Sequence, residues 1–347
     1  MGFPERDISA VVDHGGSLDR ARALFPDAPE PWIDLSTGIN PHSYPLFDLP
    51  ATALTRLPEP SRHRELAAIA ARAYGAPSAA HVVAAPGTQI LLPLVYALRA
   101  PGRALILGPT YAEHARAAAL CGYDAQEVTD FEDLAAADLA IVVNPNNPDG
   151  RVVSRARLLD LAALLQGKGG LLVVDEAFMD VGAREESLCG DVGEGGIVVL
   201  RSFGKFFGLA GVRLGFAVTA PDMAKQLDER LGPWSVAGPA LEYGIAALGD
   251  AAWADVMRAR LRKDAERLDA LFSSFGFEVD GGTDLFRHLT TPLAQPLFKS
   301  LGSQGILIRS FDGCPHVLRT GLPGSEEEWA RLEAGLAAFS AGEGGSR

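Results

Sequence analysis

Residues 197–218 read IVVLRSFGKFFGLAGVRLGFAV. Two apolar runs, Ile197–Leu200 and Gly215–Val218, enclose a loop in which Lys205 follows Ser202 by three residues and precedes Arg213 by eight. Short continuous apolar runs bounded by glycine read as strands covered on both faces. Lys205 therefore falls on a loop between two buried strands, loosened by Gly208 and Gly211 and flanked by groups suited to an anion. A lysine that carries a Schiff base needs this setting, an amine in a partly dry site beside a phosphate clamp. Solvated surface lysines are far commoner, so the assignment rests on the rest of the chain.

Working outward, similar runs recur at RALILG (103–108), LAIVVN (139–144) and GLLVVDEA (170–177). Helical patterns separate them, YAEHARAAALCG (111–122) and SRARLLDLAALLQG (154–167). This alternation predicts an α/β fold, a large domain with a mainly parallel sheet sandwiched by helices. Ligands of such sheets collect beyond the carboxyl ends of the strands. Asn144–Asn147, Asp175 and Ser202–Lys205 all end apolar runs on that edge. After Pro233 the pattern changes to a long helix over about residues 251–275, then short runs, then a helix opening at Ser325 with Glu328 in a capping box. That part reads as a smaller α+β domain. The expected divisions are residues 1–47, a Pro- and Gly-rich N-terminal arm that joins the small domain; 48–232, the large domain; and 233–347, the small domain.

With 347 residues, 48% of them apolar and 22% charged, the composition is that of an ordinary globular protein. The net charge of −13 argues against a nucleic-acid or anionic-membrane partner. An anionic small ligand would need a local cluster of Arg and His. Three widely spaced cysteines, Cys121, Cys189 and Cys314, disfavour a disulfide framework or a zinc site. The N-terminus has no apolar signal region and no run approaches membrane-spanning length, so the expected compartment is the cytoplasm.

Several residues at the sheet edge carry chemistry. Asp175 ends the VVD run, as a cap or as the partner of a cofactor's ring nitrogen, whose proton it would hold. NPNNPDG (144–150) is a turn by composition, and the Asn147 amide there can donate to a ring oxygen. PGTQ (86–89) opens a helix after Gly87, where backbone N–H groups and the Thr88 hydroxyl suit a phosphate. Tyr111, in GPTYAEH, can stack on a flat ring or simply pack.

The order PGTQ, TY, NNPDG, DEAF, SFGK and an arginine eight residues past the lysine resembles the fold-type I pyridoxal-phosphate enzymes, the aspartate aminotransferase superfamily. The resemblance covers about residues 30–340, and its joint spacing is specific where each piece alone is weak. It implies pyridoxal 5'-phosphate as cofactor, Lys205 as the lysine that holds it, and Asp175 on its pyridinium. It implies Asn147 on the ring oxygen, Tyr111 on the ring face, and Gly87, Thr88, Ser202 and Arg213 around its phosphate. It also places Arg319, in HVLRTGL, where the superfamily binds the substrate α-carboxylate, together with the backbone near Gly38 and Asn40. Two departures stand out: Phe178 occupies the place of a tyrosine common in DEAY, and Leu57 that of a tyrosine reaching the neighbouring subunit's phosphate. A homodimer is implied by the same resemblance.

Within the superfamily the chain is most similar to the threonine-phosphate decarboxylase branch of cobalamin biosynthesis. HGG (14–16), DLSTGINP (34–41), DEAF, PWSV (233–236) and ILIRSF (306–311) carry that similarity. Histidinol-phosphate aminotransferase is the alternative. A phosphorylated amino acid is the implied substrate, and its phosphate needs a cationic pocket, with Arg309 the first candidate and His14 the second. An inactive pyridoxal-binding regulator would be expected to lack Lys205 or Asp175, and both are present. A nucleotide-binding fold would show G-x-G-x-x-G or a P-loop after a strand, and neither occurs.

Overall fold

The apolar runs of the first two-thirds of the chain become one sheet. A computed structural model describes residues 15–311 and 313–344. Among these, seven strands form the sheet: β1 (Val82–Ala85), β2 (Arg103–Leu107), β3 (Asp124–Val128), β4 (Leu139–Val143), β5 (Leu171–Asp175), β6 (Ile197–Ser202) and β7 (Gly215–Thr219), in the order β1-β7-β6-β5-β4-β2-β3. The pairs from β6 through β5, β4 and β2 to β3 are parallel. β7 runs antiparallel to both β1 and β6. β4, β5 and β7 are buried at every residue, as continuous apolar strands should be when helices cover both faces. Only β3, at the sheet's edge, is polar and largely exposed.

Helices α1 (Pro60–Tyr74), α2 (Thr88–Tyr96), α3 (Glu113–Leu120) and α4 (Arg155–Gln166) belong to this unit. Leu91, Leu92, Val95 and Tyr96 of α2 pack with Ala115, Ala117 and Ala118 of α3 over Ile106, Ile141, Val173 and Val198 of the sheet. Gly75 ends α1 in the left-handed conformation, where its N–H satisfies helix carbonyls. Two further helices, Pro221–Leu231 and Gly238–Gly249, belong to the same unit.

Contacts divide the chain into two compact units. The first holds Tyr44–Asn147 and Val152–Ala254; the second holds the described residues up to Ser43, Pro148–Arg151, and those from Asp255 onward. The second contains a four-stranded antiparallel sheet of β8 (Gly281–Thr283), β9 (Phe286–Thr290), β10 (Arg309–Phe311) and β11 (Cys314–Gly321), in the order β10-β11-β9-β8. The N-terminal segment joins this unit through a separate two-stranded sheet, in which Ile33–Asp34 pair in parallel with Ile306–Leu307. The short helix Leu18–Leu24, with the Ser17 hydroxyl as its N-cap, belongs there too. Phe25 beyond it fits against Gly302, where a Cβ would meet the phenyl ring at 2.4 Å. The last helix starts at Glu326; Ser325 accepts from the Glu328 N–H, and Glu328 reaches back to the N–H of Gly324. No helix among the described residues is long and apolar enough to cross a membrane.

Candidate active site

Strand register gathers the first group of expected residues. Gly215, which opens β7, pairs with Ala85 on one side and Ser202 on the other. The Gly87–Thr88 turn leaves β1 and the Lys205 turn leaves β6, so they flank one strand end with Arg213 just before it. Gly87 adopts φ 85° and ψ 162°, a region open essentially to glycine alone. A Cβ on it would stand 2.7 Å from Nη2 of Arg213, and one on Gly215 would stand 2.5 Å from the backbone N of Thr88. Glycine at both positions thus lets the arginine and the start of α2 close on each other. Arg213 has φ 55°, and its Nη1 donates to the Ala210 carbonyl at 3.1 Å. Ser202 precedes the helical turn Phe203–Phe206, and its hydroxyl does not cap that turn. A guanidinium, two hydroxyls and a helix N-terminus together make a cradle for an oxyanion.

Lys205 rides on the Phe203–Phe206 turn, half-buried, with Nζ 5.8 Å from the centroid of the buried Phe178 ring. One strand over, Asp175 is the last residue of β5 and is paired with Leu200 of β6. Asp175 is 5% exposed, and a buried acidic side chain demands partners. Oδ1 accepts the Ala177 N–H at 3.0 Å, and Oδ2 lies 3.0 Å from Nε2 of His114. His114 is fully buried on α3, and its Nδ1 lies 2.7 Å from the hydroxyl of Tyr96 on α2. Burial pushes the Tyr96 hydroxyl well above the ordinary tyrosine value, so it keeps its proton.

The Asn-Pro loop is pinned to the same strand end. Asn144 donates its backbone N–H to the Asp175 carbonyl at 2.9 Å, and its side-chain amide makes paired bonds with the backbone of Val153 at 2.9 and 3.0 Å. Asn147 is half-buried on this closed loop. Asn146 accepts from the Thr110 hydroxyl at 2.7 Å and donates to the Pro109 carbonyl at 3.1 Å, which holds the segment bearing Tyr111. The Tyr111 hydroxyl donates to Gln89 at 3.2 Å, and its ring stands edge-on to His114. Burial, with Glu113 second, pushes Tyr111 up to about 12, so it too stays protonated.

Behind both strand ends lies a buried ionic cluster. Arg201, the neighbour of Ser202, donates to Glu176, the neighbour of Asp175, at 2.9 Å and to Asp180 at 2.5 Å. All three are under 7% exposed. Glu176 also accepts from the Ser187 hydroxyl at 2.6 Å and the Leu188 N–H at 2.8 Å.

In the second unit, Arg319 of β11 pairs with Arg309 of β10 and with His288 of β9. Two guanidinium groups directly across a ladder repel each other, so the pairing suits an anion site. Arg319 is 6% exposed, and its Nη2 donates to the Ser36 carbonyl at 2.7 Å. Burial, with Arg309 next, pulls Arg319 below the ordinary arginine value. Asn40 and Gly38 are buried on the same N-terminal segment, and Asn40 closes a turn by accepting the His42 N–H at 2.8 Å. Gly15 lies so close to Ser36 that a Cβ would meet its carbonyl oxygen at 2.4 Å. His14 falls outside the described residues. Leu57 is 63% exposed.

The first unit thus brings Gly87, Thr88, Tyr111, Asn147, Asp175, Ser202, Lys205 and Arg213 to one sheet edge, and the second holds Arg309, Arg319, Gly38 and Asn40. No spacing in the sequence links His114 or Tyr96 to Asp175, although His114 lies within GPTYAEH.

The family model for aminotransferase class I and II matches residues 49–334. The chain belongs to the aminotransferase class I and II family. It is 42% identical to the threonine-phosphate decarboxylase of Pseudomonas aeruginosa, over 95% of this chain and 98% of that one. It is 40% identical to the threonine-phosphate decarboxylase of a Sinorhizobium species, over 95% and 99%. In fold it resembles histidinol-phosphate aminotransferase from Sinorhizobium meliloti, solved with pyridoxal-5'-phosphate, with a TM-score of 0.80, 19% identity and 99% of each chain covered.

Proposed function

We propose that this protein is a pyridoxal-phosphate-dependent lyase that decarboxylates L-threonine O-3-phosphate to (R)-1-amino-2-propanol phosphate, the step the resemblance assigns to cobalamin biosynthesis. The observation that carries the reading is identity of 40–42% across 95% of the chain to two threonine-phosphate decarboxylases. The residues present fit the cofactor: the Gly87–Arg213 approach leaves an oxyanion cradle that a single Cβ would fill. An amine and a carboxylate stand on adjacent strand ends beside it.

When bound, pyridoxal 5'-phosphate supplies a carbon that an amine can hold and a protonated ring that draws electrons from a bond at the substrate's α-carbon. Lys205 would be the amine that holds it; once the substrate amine has taken that place, the freed Nζ would carry the proton that replaces the departing CO2 on the α-carbon. Asp175 keeps a proton on the ring nitrogen, positioned by the donors on both its oxygens. Asn147 donates to the ring oxygen without the tyrosine that Phe178 replaces, and Tyr111 covers the ring face. Gly87, Thr88, Ser202 and Arg213 hold the cofactor phosphate.

Arg319 binds the substrate α-carboxylate bidentately, and Gly38 and Asn40 set its direction. Direction matters because the orientation these residues impose would decide which bond at the α-carbon the bound cofactor weakens, so small displacements would separate loss of CO2 from loss of a proton. Arg309, and after it His14, receive the substrate phosphate. The protein acts as a homodimer in the cytoplasm. Leu46, Leu54, Leu57 and Trp234 of the first unit, each more than half exposed, support the dimer.

The test is incubation with threonine phosphate and no 2-oxo acid. CO2 and aminopropanol phosphate should appear together in equal amounts. Turnover of histidinol phosphate that requires 2-oxoglutarate, without CO2 release, would replace this reading with the aminotransferase.

A further inference from the structure

The bonds behind Asp175 do not stop at His114. A carboxylate oxygen can only accept, so the 3.0 Å contact between Oδ2 of Asp175 and Nε2 of His114 requires the proton on Nε2. That leaves Nδ1 of a neutral imidazole as an acceptor, and the group facing it at 2.7 Å is the Tyr96 hydroxyl. Tyr96 sits inside the apolar packing between α2 and the sheet, fully buried. A hydroxyl in such surroundings is retained only with a partner, and this one is aimed at the ring that supports Asp175.

We propose that Tyr96 is a positioning residue: its hydroxyl donates to Nδ1 of His114, locks the imidazole in the Nε2–H tautomer, and so keeps a donor fixed on Asp175. Without that hydroxyl the ring can carry its proton on Nδ1, and Oδ2 of Asp175 then faces a lone pair. Asp175 would keep only the Ala177 N–H, and its carboxylate would turn. The groups facing this relay are Asp175 on β5, Tyr111 ahead of α3, Cys121 after α3, and Glu113 beside His114, itself bonded to Gln89 and Arg116. The inference rests on the reading of Asp175 as the partner of the cofactor's ring nitrogen.

The tautomer is read on the wild-type protein by 15N NMR of its labelled histidines, with and without pyridoxal phosphate, the His114 signal being identified by its loss in His114→Gln. The expected pattern is a protonated Nε2 and a bare Nδ1. In Tyr96→Phe, checked for an intact fold by near-UV circular dichroism, that pattern should give way to Nδ1–H or to exchange between the two forms. With cofactor added, the pH midpoint of its absorbance change should move by about half a unit or more. On threonine phosphate, kcat should fall about tenfold with KM within about twofold. A wild-type His114 protonated on Nδ1 overturns the relay, as does a Tyr96→Phe protein with unchanged histidine signals and an unchanged midpoint. Failure of the wild-type protein to take up cofactor would instead count against the reading of the site, and the histidine signals would still decide the tautomer.

Discussion

In the proposed reaction Asp175 holds the ring nitrogen and Arg319 the substrate carboxylate, and each assignment allows a sharp test. Asp175→Asn keeps the shape but replaces an acceptor by an amide, which cannot hold a proton on the ring nitrogen. We predict a fall in kcat of about 10²- to 10³-fold, the scale for one preorganised electrostatic contact, with cofactor still bound as judged by absorbance. Arg319→Lys keeps the charge and loses the planar fork. KM for threonine phosphate should rise about 10- to 100-fold, as steady-state kinetics would show, since charge-assisted bonds contribute about 1.5–3 kcal/mol. The placement of Lys205, Asp175 and Asn147 at one sheet edge was legible in the sequence, because each follows the end of an apolar run of a doubly covered sheet. Tyr96 and His114 were not: they are 18 residues apart and His114 is 61 from Asp175, and only the packing of α2 and α3 on β5 joins them. A tyrosine at a helical apolar position reads as core, which it also is.

At the scale of elements, the strand ends are held by features that look unrelated to chemistry. The Arg201 cluster ties the residue after Asp175 to the residue before Ser202, across β5 and β6. Arg201→Met leaves Glu176 and Asp180 buried without their counter-charge, and we expect a loss of about 3–5 kcal/mol in denaturant unfolding. Burial already holds the Glu176 carboxyl above its ordinary value, and Arg201 is the first influence pulling it down. In the variant its folded pKa therefore rises further above the unfolded value of about 4.3. A group raised on folding contributes its stability below the unfolded pKa and loses it as pH climbs through the folded one. The variant's deficit should thus be smaller at pH 5 than at pH 8, by thermal unfolding; an equal deficit at both would contradict this. Gly87→Ala should cost about 1–3 kcal/mol from its backbone conformation and weaken cofactor uptake by displacing Arg213. The strand–helix alternation was readable from RALILG through IVVLRSF. The direction of β7 was not, because GFAVT is buried on both faces and a continuous apolar run has no period to betray whether its neighbour runs with it or against it.

For the whole molecule, light scattering after gel filtration should give twice the 36.6 kDa of one chain. A fully active species at the single-chain mass would remove the dimer from the account. Arginine and not lysine supplies most of the chain's positive charge, and besides Lys205 the lysines are Lys168, Lys225, Lys263 and Lys299. That scarcity makes the decisive measurement clean: reconstitute with pyridoxal 5'-phosphate, reduce with borohydride, digest, and map the added pyridoxyl phosphate by mass spectrometry. The label should fall on the peptide containing Lys205 and on no other. Label on any of the remaining four lysines, or none after saturating cofactor, would contradict that expectation.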